Sequence, residues 1–232
     1  MLLKKCEAVI SKNINNINAD IRKYCELGNK DPKKVILIGA SKSQSIEKIQ
    51  EAYLAGLNNF GENYLQEAEE KINKLDDKII WHFIGSLQSR KAKKVAEIFD
   101  WVHTVDTYKL AKKLNDSRPE SKGPLNVCIQ INIDSEDSKS GLSEECLEDF
   151  IEDIMNFKNL VVRGLMVIPK PREKLEDQKI VFNKVNLINE ALKKKGFKFD
   201  TLSMGMSTDY GAAIQEGATM IRIGTGIFGP RK

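Results

Sequence analysis

The chain has 232 residues, 41% hydrophobic and 30% charged, an ordinary globular composition long enough to bury one sizeable core. Its 37 basic and 33 acidic residues leave a net charge of +4, too balanced to argue for a nucleic-acid partner but compatible with a small anionic ligand. No stretch approaches the roughly 20 apolar residues of a membrane span, and Met1-Leu2-Leu3 runs at once into Lys4-Lys5 instead of a signal-peptide core. The scattered Cys6, Cys25, Cys128 and Cys146 form neither a zinc spacing nor a disulfide framework, so reduced thiols in a cytoplasmic protein are expected.

Taken in chain order, the spacing of Leu2, Leu3, Cys6, Ile10, Ile14, Ile17 and Ile21 predicts an amphipathic helix, which Gly28-Asn29 and Asp31-Pro32 end. The chain then alternates. Residues 35–40 read as a strand and 45–55 as a helix. Residues 59–60 form a very short strand before a helix over 64–75. A strand over 79–84 precedes a helix over 91–99, and a strand over 101–105 precedes a helix over 108–114. Residues 125–133 form a strand, and Ser143 caps a helix over 143–157. A strand over 160–168 is followed by a long helix over 174–195. A strand over 201–204, a helix over 210–216 and a strand over 219–223 complete the pattern. The stretches 116–123 and 169–173 read as surface loops, not domain linkers.

Roughly eight strand–helix steps in a chain of this length predict a single α/β domain over 1–232, a TIM-type (β/α)8 barrel. The last helix is missing, and the extra N-terminal helix is available to cover its place. A doubly wound open sheet is the alternative, but its glycine-rich first turn is absent. In such a barrel the chemistry gathers at the carboxyl ends of the strands. Those ends carry Ser41 and Lys42, Glu62 and Asn63, His82 and Gly85, and His103 and Asp106. Further round come Asn132, Met166 and Pro169, Ser207, and Gly224 with Thr225.

Lys42 closes the apolar run that begins at Val35. In an apolar setting the neutral amine is favoured and can attack an aldehyde; at a strand end the same lysine can also snorkel into water. The loops after strands 7 and 8 are the usual phosphate site of this fold. Here they hold Gly205-Met206-Ser207 and Gly224-Thr225-Gly226, glycines that admit close backbone approach beside hydroxyl donors. The helix that follows Ser207 begins close enough to face the same phosphate. Arg222 interrupts an otherwise apolar strand, on the face shared by Met220 and Gly224. It either pairs with an internal acid or faces a polar ligand. Closing the barrel would make Arg222, Gly224, Thr225 and Lys42 neighbours. An amine, a phosphate cradle and an arginine suit pyridoxal 5′-phosphate (PLP). Trp81, Trp101 and Phe99 are expected between barrel and helices, and His103 as a satisfied strand-end histidine.

Longer motifs add to this. They are Ala40-Ser41-Lys42, the run from Phe60 to Glu67, and the run from Trp81 to Gln88. Gln130-Ile131-Asn132, Ser138-Lys139-Ser140-Gly141, Arg163-Gly164-Leu165-Met166, the run from Leu202 to Ser207 and that from Ile221 to Gly229 complete the set. Together they cover nearly the whole chain, which resembles the pyridoxal phosphate homeostasis proteins, whose barrel is like the N-terminal domain of alanine racemase. The resemblance implies that Lys42 holds PLP as a Schiff base and that Ser207, Gly224 and Thr225 hold its phosphate. It further implies that Arg222 faces the pyridine nitrogen and that Asn63 lines the ring pocket, with His82 and Met166 as weaker candidates. Arg90 stands where that family pattern has asparagine. Alanine racemase carries a second domain with an opposing tyrosine base, and a chain ending at Pro230-Arg231-Lys232 is expected to lack it. The implied function is therefore PLP binding and homeostasis without turnover, by a monomer whose partners are PLP and PLP-dependent apoenzymes, with no nucleic acid and no membrane. A racemase-type enzyme and a Schiff-base aldolase or phosphosugar barrel are the competing readings.

Overall fold

The computed structural model describes residues 2–136 and 139–230, with side chains from Val9 onward. Leu2, Leu3, Cys6 and Ser138 of the sequence reading therefore lie outside the described side chains. The eight strands close into one parallel barrel in chain order, β1 (Ile36–Ala40), β2 (Asn59–Glu62), β3 (Ile80–Phe83), β4 (Trp101–Val105), β5 (Leu125–Ile131), β6 (Leu160–Val167), β7 (Thr201–Ser203) and β8 (Met220–Ile223). β8 returns beside β1, with Ile38 opposite Arg222. The expected (β/α)8 barrel is present, and the open-sheet alternative is excluded.

The helices clothe the strands. After α1 (Leu2–Leu27) come α2 (Ile46–Leu54), α3 (Leu65–Ile72), α4 (Ala92–Ile98), α5 (Tyr108–Ser117), α6 (Leu147–Met155), α7 (Leu175–Lys194), α8 (Tyr210–Gln215) and α9 (Thr225–Phe228). Ser45 caps α2 by accepting from the Lys48 amide, and Thr107 caps α5 by accepting from Leu110. Ile10, Ile14, Ile17 and Ile21 of α1 are buried, and the helix packs across α2, α8 and α9. α1 thus covers the barrel between α8 and α2 as expected, and among the described residues a single turn, α9, follows β8. Tyr210 ties the two ends of the chain together by donating to Asp20 at 2.6 Å.

Two layers of side chains fill the molecule. Phe60, Trp81, Phe83, Phe99 and Phe182 belong to the large apolar shell between strands and helices. Ile38, Trp101, Cys128, Met166 and Met220 form a separate cluster inside the barrel. Trp101 therefore departs from expectation, since parallel strands buried on both faces give no alternation that separates inward from outward positions. His103 departs too, lying within β4 and not at its end. Ser143 stands ahead of a 3-10 turn, Glu144–Cys146, with no side-chain cap bond. The stretch 116–123 is more ordered than a plain loop. α5 runs into it, and Arg118 donates there to the carbonyls of Ala96, Phe99 and Gly123, all at 2.7–2.8 Å.

One glycine is dictated by the barrel wall. The register of β6 shifts by one residue at Arg163, which turns its guanidinium to Asp200 at 2.6 Å. Gly164 follows with φ +151, and a Cβ there would lie 1.9 Å from the Thr201 carbonyl oxygen. No side chain fits that approach.

Candidate functional site

The mouth of the barrel is built around the turn that follows β1. Gln44 donates its amide to the Ser41 carbonyl at 2.9 Å, and Ser43 lies in the left-handed region at φ 59. Such a conformation in serine is held only if its surroundings hold it. Here Glu67 accepts the Ser43 amide at 2.9 Å. Beneath the turn lies a buried ion pair. Lys71 donates to Glu62 at 2.7 Å and to the Ser41 carbonyl at 2.9 Å, while the Ser41 hydroxyl donates to Glu62 at 2.6 Å. Burial pushes the Glu62 carboxyl up, against the opposing charge of Lys71. Its second oxygen has no partner among the described residues. This clamp fixes the backbone on both sides of Lys42. The Lys42 amine itself is half-buried and sits over the Tyr64 ring, 4.7 Å from its centroid. It is not sealed in an apolar site, and no carboxylate pairs with it among the described residues.

The phosphate-type loops meet as the topology requires. Thr225 Oγ1 donates to Ser207 Oγ at 3.3 Å. A Cβ on Gly224 would lie 3.3 Å from the Ala40 carbonyl, so this loop runs against the strand that carries Lys42. Asp209 shapes the turn by accepting from the Met206 amide at 2.6 Å. α8, six residues long, begins three residues after Ser207.

Arg222 is buried and forms no ion pair among the described residues. It donates from Nη1 to Ser203 Oγ at 2.6 Å and from Nη2 to the Val167 carbonyl at 3.0 Å. Burial lowers its pKa to about 10, partly opposed by the charge of Asp209. Behind it His103 Nδ1 meets Ser203 Oγ at 2.8 Å and His103 Nε2 meets His82 Nδ1 at 2.9 Å. His82 Nε2 meets Asn59 Oδ1 at 3.0 Å. Burial holds both imidazoles neutral, with His82 lowered to about 3 and His103 also well below the usual range.

On the far side of the mouth, Asn63, Thr104, Gln130, Asn132, Lys139 and Ile168 line a cavity of about 310 Å³. Gly85 permits it. A Cβ there would lie 2.3 Å from the Asn63 carbonyl oxygen.

The alanine racemase N-terminal domain model matches residues 13–232. The pyridoxal phosphate homeostasis protein of Pasteurella multocida is 46% identical over 227 residues, covering 96% of this chain and 97% of that protein. That of Pseudomonas aeruginosa is 45% identical over 225 residues, covering 97% and 96%. The chain belongs to the pyridoxal phosphate homeostasis protein family. Among solved structures, PipY of Synechococcus elongatus with PLP bound is 34% identical at a TM-score of 0.78, covering 90% of this chain and 100% of that one. Alanine racemase of Clostridium difficile, 14% identical at a TM-score of 0.73 over 95% of this chain and 59% of its own, shares the fold alone.

Within this family's barrel, the residues singled out from sequence do not all meet. Lys42, Gly224, Thr225 and Ser207 gather at the β1, β7 and β8 side, with Arg222 in the layer below. Asn63 stands apart on the cavity wall. His82 and Met166 lie inside the barrel, not at its mouth. Arg90 turns to Gln88 at 2.9 Å. Sequence reasoning missed the Glu62–Lys71 clamp and the part played by Ser203. The available signal was a polar residue at the carboxyl end of a buried strand, Glu62 closing β2 and Ser203 closing β7, with Lys71 on the helix that follows Glu62.

Proposed function

We propose that the chain binds PLP at the barrel mouth, holds it covalently on Lys42, and takes part in intracellular PLP homeostasis without turning over an amino acid. The observation that carries this reading is the juxtaposition on β1 and β8. An amine and a buried arginine, neither with a carboxylate partner among the described residues, converge there with a glycine loop whose two hydroxyls lie 3.3 Å apart. When bound, PLP supplies an aldehyde that an amine can capture with loss of water, and a dianionic phosphate that hydroxyls and backbone N–H groups can hold. The clamp beneath Lys42 aims its amine, Ser207, Gly224 and Thr225 receive the phosphate, and Arg222 faces the ring nitrogen. Asn63 borders the ring from the cavity side.

The absence of turnover is supported by what the side chains are already doing. Both histidines are buried and hydrogen-bonded to one another, so neither is free to take a proton from a substrate at the mouth. Arginine cannot give up its proton to a pyridine nitrogen, which leaves the ring a weak electron sink. We read the protein as a monomeric carrier that supplies PLP-dependent apoenzymes. Cys25 and Cys128, buried as free thiols, support the cytoplasmic assignment. Adding PLP to the protein in heavy water with an amino acid tests the reading. A shifted visible absorbance with α-hydrogen exchange no faster than free PLP gives is expected. Exchange well above that background would make the protein a racemase-type enzyme.

A further inference from the structure

The groups behind Arg222 form a hydrogen-bond chain whose direction can be assigned. A guanidinium only donates, so Ser203 Oγ accepts from Arg222. The single hydroxyl proton of Ser203 is then left for His103 Nδ1. With Nδ1 accepting, the neutral His103 ring carries its proton on Nε2 and donates it to His82 Nδ1. His82 in turn donates from Nε2 to Asn59 Oδ1, an amide oxygen that can only accept. Both ends demand the same direction, and every link is satisfied. His82, His103 and Ser203 are fully buried, and Arg222 is 5% exposed.

A barrel interior filled by apolar side chains would do at least as well for stability. A fully satisfied polar chain instead fixes one arrangement, because any other leaves a buried group unpaired. Here it spends two of the five guanidinium donors on Ser203 and Val167 and leaves the rest unclaimed by the described residues.

We propose that Ser203 and His103 are positioning residues for Arg222, locking its guanidinium so that the remaining donors are presented to the pyridine nitrogen of PLP. The proposal rests on the PLP reading above. Neither residue touches the ligand; each acts through the arginine.

The experiment compares binding of PLP and of 1-deaza-PLP, in which carbon replaces the ring nitrogen, to the wild type and to Ser203→Ala. Loss of a positioning hydrogen bond to a charged group should weaken PLP binding about tenfold. Binding of the deaza analogue should be unchanged, since it has no nitrogen for Arg222 to meet. In the ligand-free wild type, nitrogen NMR should show His82 and His103 neutral with the proton on Nε2, and Ser203→Ala should release His103 from that tautomer. Should Ser203→Ala fail to fold, His103→Phe keeps the Ser203–Arg222 bond but leaves the serine hydroxyl free to turn, and carries the same comparison with a smaller loss, again confined to PLP. Equal weakening of both ligands, or no change in either, overturns the proposal and reduces the chain to scaffolding. A wild type that binds neither ligand overturns the PLP reading itself, and is told apart because the failure precedes any substitution.

Discussion

Phe182 and His103 are both completely buried, yet they sit on opposite sides of the barrel wall and answer to different physics. Phe182 lies in the shell, where α7 meets the strands, and its neighbours are apolar. Its contribution is area removed from water, which is non-directional and tolerant of exchange among residues of similar volume. His103 lies in the interior, where a contact counts only if donor meets acceptor. The shell makes the barrel stable. The interior and mouth give it one arrangement of Lys42 and Arg222.

The largest effect that would sharpen this contrast is on the shell side. Phe182→Ala should cost about 3–5 kcal/mol in urea unfolding, while the protein that stays folded keeps its affinity for PLP. Lost affinity in the folded fraction would mean that the two regions are not separable.

The second prediction concerns acid. The folded pKa of His82 lies at about 3, below its usual 6.5, so the unfolded chain takes up that proton first. Stability must fall as pH drops through the window from 6.5 toward 3. Between pH 6.5 and 4 one such histidine accounts for about 3 kcal/mol. Glu62, raised in the folded state, acts with the opposite sign, so the informative quantity is a difference. His82→Asn keeps an acceptor for His103 and should flatten the acid limb of the stability curve relative to wild type. An unchanged limb would show that the interior histidines are not what acid attacks.

A smaller effect is expected at the clamp. Glu62→Gln removes the charge facing Lys71 and should cost about 2 kcal/mol. It should also slow covalent capture at Lys42, because the turn after β1 loses its support. Smallest of all, Lys74→Ala breaks an exposed pair with Glu70 and should leave the urea midpoint essentially unchanged.

The same division explains how far the sequence could be read. The shell announces itself locally, through apolar spacing in each helix and β-branched runs in each strand, and the eight strand–helix steps follow. The loops holding Ser207, Gly224 and Thr225 were legible because the fold assigns a job to the ends of β7 and β8. Arg222 was legible as a charge in an apolar strand, and its meeting with the β1 side follows from closure. The chain behind it was not. His82 and His103 are 21 positions apart, and Ser203 lies 100 further on, so only the closed barrel brings them together. Trp101 shows the same blind spot from the apolar side. A residue in a strand buried on both faces can point either way, and here it stacks on His82 inside the barrel, 5.6 Å between centroids.

Whether Lys42 anchors PLP can be read directly. Wild type and Lys42→Ala, each loaded with PLP, reduced with borohydride and digested, would be mapped by peptide mass. One phosphopyridoxyl adduct is expected, on the peptide containing Lys42, and none at the mouth of the variant. An adduct confined to other lysines, or spread equally over many in both proteins, would contradict it.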